Sequence, residues 1–170
     1  MTDPLNRSRT GWTGAAVRVI TLWALLGGAL LFAVVLMNVA SILGAIIGRP
    51  VPGDFELTEL GVAIAVFAFL PYTQVSDGNV TADIFTSGAG PRTVACLKLV
   101  GAVIAFGFAL LLLWRMYAGM GDQRAYGYTT TILQVPVWLA FLPILVSLAL
   151  LALAALVSLR DHAAVLRGTT

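Results

Sequence analysis

The chain has 170 residues, 59% hydrophobic and 11% charged, with a net charge of +2 and a mean hydropathy of +0.95. Soluble domains carry about 25% charged residues; a water-soluble fold of this size could not hide so much apolar surface, so a bilayer must be the solvent. The basic residues are dispersed, with no basic and aromatic stripe to bind nucleic acid, and the single Cys96 excludes an internal disulfide.

Taken in chain order, Arg7, Arg9 and Arg18 precede an uncharged run from Val19 to Gly48. Signal-peptide cores run only about 7–15 residues, so this run reads as a retained first span within Val19–Ile47. It is longer than the bilayer requires, which predicts a tilt or an exit near Gly44–Gly48. Arg49-Pro50-Val51-Pro52-Gly53 cannot continue a helix, and Asp54 is placed to cap the next one. Glu56 and Glu59 then fall in the first turns of a second span, Leu57–Ser76, where the helix dipole favours negative charge. In the connection from Asp77 to Arg92, Val80, Ile84 and Phe85 suit one face of a short interfacial helix. A third span lies within Val94–Tyr117, with Lys98 and Arg115 snorkelling to opposite surfaces. Thr131 and Gln134 match a capping box ahead of a fourth span, Ile132–Leu159, in which Pro136 and Pro143 predict a bend.

The expected fold is therefore an all-α integral membrane protein, a single domain over residues 1–170 with four transmembrane helices. Placing both termini in the cytoplasm puts Arg7, Arg9, Arg18, Arg92, Lys98, Arg160 and Arg167 inside and only Arg49, Arg115 and Arg124 outside, as the positive-inside rule prefers. Trp114, Tyr117, Tyr126, Tyr128 and Trp138 would then form an outer aromatic belt, with Trp12 and Trp23 near the inner surface.

The chemistry that the residues exclude is extensive. A haem bundle needs axial ligands, normally paired histidines, and the one histidine is His162, beyond the last span. A thiol oxidoreductase needs a dithiol; a phosphate loop needs a Gly-rich turn ending in Lys-Ser or Lys-Thr, and the sole lysine is Lys98. No zinc-ligand spacing occurs, so no cofactor or metal is expected and an enzyme is disfavoured. Carriers typically keep an acid within the membrane, but each acid here sits at a span end or in a loop. Glu59 is the deepest, and reads as a helix-start charge or a polar contact with a partner rather than an ion-coupling site. Asn38 reads as an interhelical hydrogen bond rather than part of a substrate path. Ala40, Gly44 and Gly48, with Gly61 and Ala65 and with Gly101 and Ala105, form small-residue ladders suited to close helix contact within the chain or with another.

Several segments resemble one family. Asn38-Val39 followed by Gly48-Arg49-Pro50-Val51-Pro52-Gly53-Asp54-Phe55-Glu56-Leu57-Thr58-Glu59 is similar to the first outer loop and second-helix start of the small membrane subunit, DctQ-like, of tripartite ATP-independent periplasmic (TRAP) transporters. Gly78-Asn79-Val80-Thr81-Ala82-Asp83 resembles that family's inner-loop pattern, with Asn79 where a histidine is usual, and Gln134-Val135-Pro136-Val137-Trp138 resembles the opening of its fourth helix. Ala40-Ser41-Ile42-Leu43-Gly44 departs from the family by lacking its arginine. The resemblance implies a bacterial inner-membrane importer of organic acids in which a periplasmic substrate-binding protein (DctP-like) delivers to a large membrane subunit (DctM-like), and this chain braces the latter. It makes Asn38, Gly44, Gly48, Arg49, Gly53, Glu56, Glu59, Asp83, Pro136 and Trp138 candidates for partner contact or structural motif. The competing expectation is a self-sufficient homo-oligomeric carrier or channel.

Overall fold

A computed structural model describes residues 12–76 and 91–166. The expected interfacial helix and Asp83 lie outside the described residues. Among the described residues there are four helices, α1 (Trp12–Ile46), α2 (Asp54–Val75), α3 (Pro91–Ala125) and α4 (Trp138–Leu166), and each is long and apolar enough to cross a membrane. In hydrocarbon no water satisfies backbone amides and carbonyls, so each span closes its own hydrogen bonds as a helix. At about 1.5 Å per residue, the 35 residues of α1 exceed the roughly 30 Å of a bilayer core.

The helices run alternately up and down, but they do not close into a bundle. Among the described helices, α1 packs on α2 and more lightly on α4, α2 packs on α4, and α3 packs on α4 alone. α4 is consequently the most enclosed helix and α3 the most exposed. Buried positions on α1 include Thr13, Ile20, Gly27, Val34 and Ser41, one every seventh residue, with Ala16 and Ala24 between them. A seven-residue repeat keeps one seam facing a neighbour at a shallow left-handed crossing. α2 answers with Gly61, Ala65, Ala68, Pro71 and Val75. Small residues dominate because lipid is as apolar as leucine, so helices gain by close backbone approach rather than by hiding apolar surface. Thus a Cβ on Gly27 would lie 2.6 Å from Ala68 Cβ, and one on Gly61 would lie 2.5 Å from Val34 Cγ2. Toward the other end Ala16, Ile20, Val75, Ala154 and Val157 form the core where α1, α2 and α4 meet.

Polar side chains join the helices where this seam would otherwise be featureless. Trp23 Nε1 on α1 donates to Ser147 Oγ on α4 at 2.9 Å, and that hydroxyl donates onward to the Pro143 carbonyl at 2.8 Å. Trp23 is therefore held between helices by its indole N–H. Ser158 Oγ on α4 donates to the Gln74 carbonyl on α2 at 3.3 Å.

Several boundaries differ from those expected. α4 begins at Trp138, not Ile132, so Pro136 precedes the helix and cannot bend it; Pro143 and Pro71 lie within helices. Thr131 and Gln134 form no capping box. Gln134 has φ 56° and its Nε2 donates to the Thr131 carbonyl at 3.0 Å, which turns the chain instead of starting a helix. Asp54 is the first residue of α2 rather than its cap; the cap position is held by Gly53 at φ 71°.

Candidate partner-contact site at the paired connections

The α1–α2 and α3–α4 connections meet at one end of the molecule, and most of the candidate residues gather there. α1 stops at a left-handed turn. Gly48 has φ 72°, Arg49 N donates to the Gly44 carbonyl at 2.8 Å, and Gly48 N donates to the Ala45 carbonyl at 3.1 Å. This double closure satisfies the last carbonyls of the helix. Gly44 is needed because a Cβ there would run into the Arg49 carbonyl oxygen. Gly44 and Gly48 thus shape this turn. The Arg49 side chain is exposed.

Past the turn, α1 and α2 are laced together by side chains. Asn38 Nδ2 donates to Thr58 Oγ1 at 2.7 Å and to the Val34 carbonyl at 2.9 Å. Thr58 Oγ1 in turn donates to the Asp54 carbonyl at 2.7 Å. One turn along α1, Ser41 Oγ donates to Asp54 Oδ2 and accepts from Val51 N at 3.2 Å, while Phe55 N donates to Asp54 Oδ1 at 2.8 Å. Asn38 is therefore committed to a joint between helices and has no free amide hydrogen aimed at a path through the protein.

The α3–α4 connection is a narrow hairpin-like loop. Thr130 N donates to the Val135 carbonyl at 2.9 Å and Val137 N to the Tyr128 carbonyl at 3.0 Å, with Thr129 and Pro136 paired as an antiparallel bridge. Its tip, residues 131–134, is tied to α2 by Glu56, whose two carboxylate oxygens accept from Ile132 N at 2.7 Å and Leu133 N at 3.1 Å. An ionised acceptor bonded by two main-chain donors makes a directional and comparatively strong joint. Beside it the Leu133 side chain presses on Gly53, where a Cβ would lie 2.5 Å from Leu133 Cγ. Beyond the loop, the Arg124 guanidinium lies 5.4 Å over the Trp138 ring, within the reach of a cation–π contact, and the Tyr126 and Tyr128 rings are 5.8 Å apart.

Substituting Glu56→Leu, which keeps bulk but removes both acceptors, should leave two loop amides without protein partners. Hydrogen exchange at Ile132 and Leu133 should then rise severalfold while exchange in α4 stays slow, and Glu56→Gln should fall between, since its amide carries one acceptor oxygen. Equal protection in all three proteins would show that the joint carries no weight.

Glu59 stands apart from these joints. Together with Glu56, Phe55, Leu60, Thr130, Thr131 and Val137 it lines an open cleft of about 310 Å³ between the start of α2 and the loop. Among the described residues its carboxylate has no hydrogen-bond or ion-pair partner, and no group of three or more His, Cys, Asp or Glu could hold a metal ion. The contribution of Leu133 was invisible in the sequence: it sits 80 positions from Gly53, and nothing local marks either as the other's neighbour.

A family model described as "Tripartite ATP-independent periplasmic transporters, DctQ component" matches residues 31–164. That stretch takes in the latter part of α1, both paired connections, α2, α3 and nearly all of α4. No curated protein and no solved structure matches the chain.

Proposed function

The chain belongs to the DctQ component family of TRAP transporters, and from that premise we propose that this small membrane subunit braces a large, DctM-like membrane subunit during uptake of an organic acid delivered by a DctP-like binding protein. The match across residues 31–164 carries this reading. The arrangement of the helices supports it. Polar groups in the membrane-spanning seams are spent on joints between helices, such as Asn38 with Thr58 and Trp23 with Ser147, while long apolar faces on α1 and α3 are left uncovered by the described residues. In this reading the chain catalyses no reaction and needs no cofactor, and it lies in a bacterial inner membrane. Both termini are cytoplasmic, and the paired connections, including Arg49–Glu59 and Arg115–Thr131, face the periplasm near the docking binding protein.

Two measurements test it. Single cysteines at Arg49 and Tyr128, introduced after Cys96 is replaced by serine, should react with a membrane-impermeant maleimide from the periplasmic side of intact spheroplasts. Labelling only after the cytoplasmic face is exposed would reverse the topology. The purified chain reconstituted alone should move no solute, and uptake should need all three components; transport by the isolated chain would replace the bracing role with that of a self-sufficient homo-oligomeric carrier.

A further inference from the structure

On α2, Phe55, Glu59, Val62 and Val66 are all exposed. Their spacing of four, three and four residues places them in one stripe along the helix. α1 and α4 cover the other sides of α2, and no described helix of this chain covers this one. The stripe is apolar except at Glu59, where a carboxylate with no partner among the described residues borders the cleft lined on its far side by Thr130, Thr131 and Val137. The cleft has a definite shape because the loop forming its wall is anchored by the two main-chain bonds to Glu56. Those same bonds occupy Glu56, which leaves Glu59 as the acid available to an incoming group.

We propose that this stripe is the docking face for one apolar helix of the large membrane subunit, and that a lysine or arginine near the outer end of that helix enters the cleft to pair with Glu59. The inference rests on the bracing role proposed above. An acid on an otherwise apolar transmembrane face is costly unless it is paired or reaches the polar surface. A cationic side chain projecting from a neighbouring helix satisfies that requirement, while Phe55, Val62 and Val66 pack along its shaft. The recess accounts for where the cation goes: Glu59 and the Thr130 and Thr131 hydroxyls supply acceptors, and Leu60 and Val137 line the part that would receive its aliphatic stem.

The test uses both membrane subunits co-expressed, with a tag on this chain, and measures retention of the large subunit after detergent extraction. Glu59→Arg and Val66→Trp should each weaken retention by about tenfold or more, in the range seen when one partner of a desolvated pair is lost, and Glu59→Gln should weaken it less. Helical content and melting temperature of the tagged chain, read in parallel, should be unchanged because both positions are exposed. A single lysine-to-glutamate or arginine-to-glutamate change at an outer helix end of the large subunit should restore retention of the Glu59→Arg protein. Undiminished retention in all three variants would overturn the docking face and leave the bracing role standing, whereas failure of the unaltered chain to retain the large subunit would overturn the bracing role itself. If Glu59→Arg impairs capture of the binding protein or of a phospholipid headgroup but not of the large subunit, the assigned occupant is wrong.

Discussion

Gly53→Val should lower the stability of the isolated subunit by about 3 kcal/mol, combining a backbone cost of about 1–2 kcal/mol with an overpacking cost of similar size. Gly53 has φ 71°, a region in which a Cβ meets the chain's own carbonyl and a β-branched side chain is disfavoured most. Independently, an added Cβ would lie 2.5, 2.7 and 3.1 Å from Leu133 Cγ, Cδ1 and Cδ2. The two causes can be separated. Leu133→Ala should recover part of the loss in a Gly53→Ala background, because it removes the collision but not the backbone strain, and the double mutant should be more stable than the sum of the single effects allows. Reversible unfolding in mixed micelles provides the measurement. Strict additivity would mean that Leu133 yields freely and only the dihedral matters.

Gly61→Leu and Gly27→Leu should each cost about 2–4 kcal/mol by forcing α1 and α2 apart. Along this seam the contacts descend in register, with Gly27 against Ala68, Val34 against Gly61, Asn38 against Thr58 and Ser41 against Asp54. A wedge at Gly27 or Gly61 therefore threatens the polar joints further along as well as its own contact. Val34 Cγ2 is the atom nearest a Cβ on Gly61, so Val34→Ala should largely rescue Gly61→Ala while leaving Gly27→Leu unaffected. The obstacles at Gly27 are Ala68 Cβ and the Ala65 backbone, which no truncation of Val34 can move. Reversible unfolding in mixed micelles reads these effects as well, and unchanged stability in these variants, with no rescue of Gly61→Ala by Val34→Ala, would mean that the seam yields at no cost.

Legibility in the sequence followed the local character of each signal. Four spans could be read because charges and prolines interrupt an otherwise apolar chain, and a helix is the form in which such a segment satisfies its own backbone in lipid. The break at Arg49–Gly53 was equally local, since Pro50 and Pro52 cannot extend a helix. The start of α4 was misread for the opposite reason. Thr131 and Gln134 have the spacing of a capping box, but Glu56 takes the amides of Ile132 and Leu133 from more than seventy positions away. That long-range bond, with the pairing of Thr129 to Pro136, holds residues 126–137 as a loop.

Composition and punctuation alone thus determined that this chain is a four-span membrane protein, and the order of its motifs pointed to its family. Tertiary structure alone decided which face of each helix is inside, that α3 touches only α4 among the described helices, and that Glu56 is spent on a joint while Glu59 is not. The physical reason is the solvent. In water the buried side of a helix is its apolar side and can be read from the pattern; in lipid both sides are apolar, so the seam follows from where Gly, Ala and Ser allow backbones to approach, and that depends on the neighbour as much as on the helix itself.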